Sequence, residues 1–260
     1  MRTVALIQAR MSSSRFPGKV LADLDGRPMI AYMMDRARRA KSLDLVAIIT
    51  STDPTDDPLA EMAAQFSLPF YRGDLHDVLE RYASAAEQFS AEIVVRLTGD
   101  CPLIDPDVID SVVNLRAQSG ADYCSNIAPP TYADGLDVEC FTRAVLERAR
   151  REAQQPPERE HVTLWMRSED HKLSRANHAG LIDTSHLRLT VDYPDDLEVV
   201  RRIVAGHSGG SRLDQFDILR YLDAERSLLD INLHERNEGL RKSLESAATG
   251  DADPMNEPEE

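Results

Sequence analysis

Two hydrophobic periods alternate along the first 120 residues. TVALIQ (3–8) is an apolar run of strand length, and the polar stretch 10–19 after it reads as a loop. GRPMIAYMMDRARRAK (26–41) carries Met29, Ile30, Met33 and Ala37 at helical spacing, with Pro28 near its first turn. DLVAIITS (44–51) predicts a buried strand, 56–67 a helix, LPFY (68–71) a short strand and 75–90 a helix. AEIVVRLTGD (91–100) predicts a strand ending in a turn. DPDVIDSVVNLRAQSG (105–120) predicts a helix opened by Asp105-Pro106 and stopped by a glycine. Such alternation implies an α/β fold with parallel strands and helices on both faces of the sheet. Ligands in these sheets bind beyond the carboxyl ends of the strands. The stretches 10–19, 72–74 and 98–101 fall there.

After residue 121 the rhythm changes. DYCSN (122–126) and GLDVECF (135–141) read as strands around a Pro-rich loop, and 142–153 and 158–168 as helices. HKLSRANH (171–178) and LRLTV (187–191) read as strands, 194–206 as a helix. This divides the chain into a domain over 1–210, a helical extension over 211–245 and a disordered acidic tail over 246–260.

Charge narrows the function. The formal net charge is −15, from 30 Lys+Arg and 45 Asp+Glu, which argues against general nucleic-acid binding. Residues 1–41 nevertheless hold nine basic and three acidic side chains, a local +6 that suits a small anionic ligand. Arg36, Arg38, Arg39 and Lys41 read as the solvated face of the 26–41 helix. Cys101, Cys124 and Cys140 show no zinc or CxxC spacing and are expected to be reduced. No apolar run is long enough to insert in a membrane, and MRTVALIQAR has no signal-peptide core, so a cytoplasmic location is expected.

IQARMSSSRFPGK (7–19) carries the first candidate chemistry. It is not the GxxxxGK[ST] phosphate loop, and no GxGxxG follows a strand. Arg10, Ser12, Ser13, Ser14, Arg15 and Lys19 instead gather cations and small donors around a turn, which fits a nucleotide or sugar phosphate or simply a polar surface loop. In RLTGDCPLIDP (96–106), Asp100 sits at a strand's carboxyl edge. It can bind Mg²⁺ together with phosphate oxygens, or only organise the turn. In RLTVDYPDDLEVVRRI (188–203), Asp192 reads either as a helix N-cap or as a second metal carboxylate; Asp195 and Asp196 read as first-turn charge.

IQARMSSSRFPGKVL, GRPMI, RLTGDCPLIDP and VDYPDDLE, in that order, resemble the cytidylyltransferase family of the spore-coat polysaccharide type. More distantly they are similar to the synthetases of CMP-activated Kdo and sialic acids. YADGLDVECF and EREHVTLW are family-like segments between them, and the resemblance spans about 3–206. It implies a Rossmann-like three-layer α/β/α nucleotide-diphospho-sugar transferase fold with a mixed, mainly parallel sheet. It also implies CTP as donor, Mg²⁺ as cofactor and pyrophosphate as leaving group. On this chain the resemblance assigns Arg10, Arg15 and Lys19 to the triphosphate and Asp100 and Asp192 to the metal. Arg72 and Arg96 fall where the family contacts base or ribose, although Kdo enzymes have a Gln at a site similar to Arg96.

The acceptor pocket is expected in the second half, from Asp137, Glu139, Glu160 and His161. Asp137 and Glu139 share one face of a strand, which can instead face solvent. The resemblance also implies a homodimer formed through the β-rich segment, and a sugar acceptor of which a 2-keto acid is the best-known class. Two alternatives compete: a glycosyltransferase consuming a nucleotide sugar, disfavoured because GDCP is not DxD, and a non-catalytic nucleotide-binding protein.

Overall fold

In the computed structural model, which describes residues 1–207 and 212–249, the strands and helices are as follows. The strands are β1 (Thr3–Gln8), β2 (Asp23–Leu24), β3 (Arg27–Pro28), β4 (Leu45–Ser51), β5 (Phe70–Gly73), β6 (Ile93–Thr98), β7 (Tyr123–Ser125), β8 (Glu139–Thr142) and β9 (Arg175–Asn177). The helices are α1 (Met29–Ala37), α2 (Asp57–Gln65), α3 (Val78–Gln88), α4 (Pro106–Ser119), α5 (Arg143–Glu152), α6 (Pro156–Glu160), α7 (Leu164–Arg167), α8 (Pro194–Ala205), α9 (Gln215–Ala224) and α10 (Glu238–Thr249).

The main sheet has the order β5-β4-β1-β6-β8-β7-β9. β5, β4, β1 and β6 pair in parallel; β8 runs antiparallel to both β6 and β7; β9 is parallel to β7. Period-two alternation in the central strands feeds two cores. Ala5 and Ile7 of β1 pack with α1, α4 and α8 on one face, whereas Val4 and Leu6 pack with α3, α5 and α7 on the other. The result is the expected three-layer α/β/α arrangement with a mixed, mainly parallel sheet.

Most elements of the parallel half lie close to their expected ranges. Asp105 caps α4 by accepting from the Asp107 amide, and Gly120 ends it with φ +66. Several expectations are corrected. The 26–41 segment opens as the β2–β3 hairpin around Asp25-Gly26, so Pro28 precedes the helix, which starts at Met29. The 158–168 helix is two short helices, because Val162 takes φ +54 and breaks the turn at His161–Thr163. LRLTV is not a strand; only Arg188 forms an isolated bridge, to Asp134. That bridge requires Gly135, whose φ is +108 and whose missing Cβ would lie 2.6 Å from the Leu189 carbonyl carbon and Thr190 nitrogen.

The largest correction is Arg36, which is fully buried and does not solvate a helix face. Its guanidinium donates to the carbonyls of Ile104 (2.9 Å), Leu103 (3.1 Å) and Leu213 (2.8 Å). It therefore stitches α1 to the loop before α4 and to the segment after α8. That segment packs back on the domain: Leu213, Ile218, Leu222 and Leu228 join the main core, and the Gln215 amide donates to Asp105. α10 continues through residues 246–249; the rest of the expected acidic tail, 250–260, lies outside the described residues. Cys101, Cys124 and Cys140 are buried free thiols. Among the described residues no helix is long and apolar enough to cross a membrane.

Arg36→Met is expected to lower the unfolding free energy by about 3 kcal/mol in denaturant titrations. Each buried carbonyl left without a donor costs about 1–3 kcal/mol, and relief of the buried charge returns part of that.

Candidate active site

The carboxyl ends of β1 and β6 lie side by side and form the floor of a cleft. Gly99 allows the close approach: its amide donates to Gln8 O at 2.8 Å, and a Cβ there would stand 3.0 Å from Ala9 Cβ. The loop after β1 is held by its own turns and by a residue the sequence reading missed. Asp56 is fully buried and accepts from the Met11 amide (2.7 Å), Thr50 Oγ1 (2.9 Å) and the Ser51 amide (3.1 Å). Gly18, at φ +73, then turns the chain so that Lys19 enters a buried 3₁₀ turn.

Lys19 joins the two candidate metal carboxylates. Its Nζ donates to Asp192 Oδ1 (2.9 Å) and the Val191 carbonyl (2.7 Å), and lies 3.6 Å from Asp100 Oδ2. The Val191 amide donates to Asp100 O at 2.7 Å, which brings the 187–192 segment against the GDCP turn. α8 is capped without Asp192. Asp196, fully buried, accepts from the amides of Asp192 and Tyr193, each at 2.9 Å. The Asp192 carboxylate is thereby left to face three cations: Arg15 (2.7 Å), Lys19 and Arg188 (3.2 Å). Arg188 itself bridges Asp134, Asp192 and Asp196. Burial opposes the Asp100 charge, but the Lys19 ammonium and hydrogen bonds from Thr98 and Cys101 hold its carboxyl below the usual value.

Two adjoining cavities share this centre. The first, about 350 Å³, is lined by Arg10, Ser13, Ser14, Arg15, Lys19, Asp100, Asp192, Glu160 and His161, among others. Arg10 has no hydrogen-bond or ion-pair partner among the described residues, so a cation stands available on its wall. The second, about 230 Å³, also touches Arg15, Asp100, Asp192 and His161, and adds Arg96, Asp134, Asp137, Glu139 and Arg167. Burial pushes Asp134 up to about 6 and Asp137 up to about 7, although Arg236 pulls both down and lies 2.5 Å from Asp137. Glu139 is buried and pairs with Arg96, so the solvent-face reading does not hold. It also accepts from Tyr123 Oη at 2.5 Å.

The second cavity has an unusual feature. The Nε atoms of Arg96 and Arg167 and Nε2 of His161 are buried without a hydrogen-bond partner. Buried donors are rarely left so. Burial lowers the His161 pKa and favours the neutral ring, whose nearest carboxylate oxygen, on Glu160, is 3.7 Å away.

Not every expected residue reaches the cleft. Ser12 is not in its lining. Arg72 is spent on the β4–α2 turn: it donates to the Ser51 (2.7 Å) and Asp53 (3.0 Å) carbonyls and pairs with Asp57 (2.7 Å). β5 is the sheet edge, two strands from β1, which explains the distance. Arg81, which the sequence reading passed over, lines the first cavity and binds the Asp74 and Leu75 carbonyls. Arg167 and Arg236 were also missed, as they lie in no motif, and Arg188 and Asp134 were given no role although they lie in RLTVDYPDDLE and YADGLDVECF, because their partners are distant in sequence.

A cation-lined cleft of about 350 Å³ with two aspartates, beyond the strand ends of a mainly parallel sheet, has the form of a nucleotide site in an α/β enzyme. The sequence model of the cytidylyltransferase family matches residues 4–208, and the chain belongs to that family. It is similar to the 3-deoxy-manno-octulosonate cytidylyltransferase of Anaeromyxobacter sp. (strain K), 32% identical over 244 residues that cover 79% of this chain and 99% of that one. It is also similar to the spore coat polysaccharide biosynthesis protein SpsF of Bacillus subtilis, 30% identical over 213 residues, 76% of this chain and 84% of that one. A solved cytidylyltransferase from Leptospira borgpetersenii superposes with a TM-score of 0.84 at 29% identity, covering 91% of this chain and all of that one. Membership favours nucleotidyl transfer over the glycosyltransferase alternative.

Arg96→Met is expected to cost about 3–5 kcal/mol of stability, because it strands a buried Glu139. The double variant Arg96→Met/Glu139→Met should recover most of that loss, read by denaturant unfolding.

Proposed function

We propose that this cytidylyltransferase activates a sugar acid, of the 2-keto class, with CTP, giving a CMP-sugar for surface polysaccharide synthesis and pyrophosphate. One observation carries the reading: two cavities of different chemistry meet at Asp100, Asp192 and Arg15. The first offers Arg10, Ser13, Ser14 and Lys19 to a triphosphate. The second is lined by Arg96 and Arg167, guanidinium groups that suit an acceptor carboxylate, and by Asp137, which suits sugar hydroxyls.

The acceptor hydroxyl oxygen attacks the α-phosphorus in line and its proton passes to solvent water; the new P–O bond forms, the P–O bond to the β-phosphate breaks, and pyrophosphate leaves. Arg10, Arg15 and Lys19 neutralise the departing pyrophosphate, so catalysis is mainly positioning and charge stabilisation. Asp100 and Asp192 suit a divalent cation, since both carboxylates converge on one ammonium and supply hard oxygen ligands. A divalent cation such as Mg²⁺, held by these two carboxylates, would supply positive charge to the transferring phosphate and lower the pKa of the attacking hydroxyl. On the same reading the protein works in the cytoplasm as a homodimer, its partners being CTP and the sugar acceptor. The edge strand β9 and the exposed Leu181 and Ile182 beyond it support a β-side interface.

Calorimetry with CTP, UTP, GTP and ATP, with and without Mg²⁺, should give a metal-dependent preference for CTP. Asp100→Asn should lower pyrophosphate release with sugar acids by at least about 100-fold while changing CTP affinity far less. Unchanged turnover in that variant would remove the metal assignment.

A further inference from the structure

α10 lies beyond the stretch that the family's sequence model matches, yet it forms a wall of both cavities. Gly239, Lys242, Ser243 and Ser246 recur at three- and four-residue spacing and line the first cavity. Glu238 and Leu240 line the second. The segment leading into α10 is tied to the same centre. Asn232 donates to Arg188 O (3.2 Å) and Asp196 Oδ1 (3.1 Å), and Arg236 pairs with Asp137. Ser243 Oγ donates to Glu160 at 3.0 Å, which fastens the helix across the cleft.

The Glu238 carboxylate sits among cations. Oε2 accepts from Arg15 (3.0 Å) and Tyr193 Oη (2.8 Å), and Oε1 lies 2.7 Å from Lys242 Nζ. Those donors hold its carboxyl well below the usual range, at about 2. Arg15 thus spends one terminal nitrogen on Asp192 and the other on Glu238. A triphosphate bound at Arg15 would be repelled by a carboxylate left at hydrogen-bond distance from the same guanidinium. Asp192 is held in place by Lys19 and Arg188, whereas Glu238 stands on the first turn of α10, next to Gly239 and to Asn237 at φ +58. Of the two acids, Glu238 is the one built to leave.

We propose that α10 is a working part of the nucleotide site: the CTP triphosphate displaces Glu238 from Arg15 and Lys242, making Lys242 a phosphate ligand alongside Arg15. The inference rests on the CTP reading above. It gives the packing of the C-terminal extension over the cleft a role: Glu238 offsets part of the positive charge around Arg15 and Lys242.

The test is CTP affinity by calorimetry on full-length chains in Mg²⁺ buffer, with thermal midpoints to confirm folding. Lys242→Ala should weaken CTP about tenfold, and Lys242→Arg should restore it to within about twofold. Glu238→Gln, which removes the competing charge and keeps the shape, should tighten CTP by about fivefold or more. CTP affinity unchanged in folded Lys242→Ala, or weakened in Glu238→Gln, would overturn the inference and leave the CTP reading standing. A wild-type chain that binds no CTP would overturn both.

Discussion

The carboxylate of Asp192 is the point on which the site depends. Three cations from three parts of the chain meet on it: Arg15 from the loop after β1, Lys19 from the turn that follows, and Arg188 from the segment before α8. A carboxylate this enclosed is tolerable only when fully paired, because an unpaired charge of either sign would cost several kcal/mol. The demand for balance therefore fixes the approach of segments some 170 residues apart, and with it the shape of the cleft. It also explains why Asp196, not Asp192, secures the start of α8. The helix needs an acceptor for its free amides, and the site needs Asp192 for something else.

The same logic separates the two cavities. The first cavity is rimmed by Arg10, Arg15 and Lys19 from one loop, joined by Arg81 and Lys242, and Arg10 stands there without a partner among the described residues. The other side mixes acids and guanidinium groups brought from the antiparallel half of the sheet. Glu139 and Arg96 face each other because β8 pairs with β6 in antiparallel register, Arg96 directly opposite Glu139. That register turns two strand residues into a buried ion pair and leaves Arg96 Nε enclosed without a hydrogen-bond partner. The parallel half thus supplies the loop cations of the first cavity, and the antiparallel strand beside it supplies Glu139 to the second.

The fold of the first 120 residues was legible because its signals are local. Apolar runs bounded by turns mark β1, β4 and β6, and Asp105-Pro106 with Gly120 brackets α4 through backbone chemistry that needs no distant partner. Where a boundary slipped, a local competitor was responsible: the Asp25-Gly26 turn made a hairpin out of an expected helix start, and Val162 broke an expected helix in two. Arg36 misled for a different reason. A guanidinium on a helix looks solvated until three carbonyls from other segments surround it.

Sequence alone determined the α/β class and the cationic loop over 10–19, since local periodicity and charge carry those signals; for Asp100 and Asp192 it left a structural role open, and only the family resemblance chose between the readings. Tertiary structure decided which of those groups touch. It put Lys19 between the two aspartates, kept Arg72 at the sheet edge, and recruited Asp56, Arg167, Arg188 and the Glu238–Lys242 turn of α10. Apart from Arg188, which opens the RLTVDYPDDLE stretch, those residues carry no signature in the one-dimensional pattern. Their roles come from burial and charge pairing between distant segments, and such pairing exists only once the chain has folded.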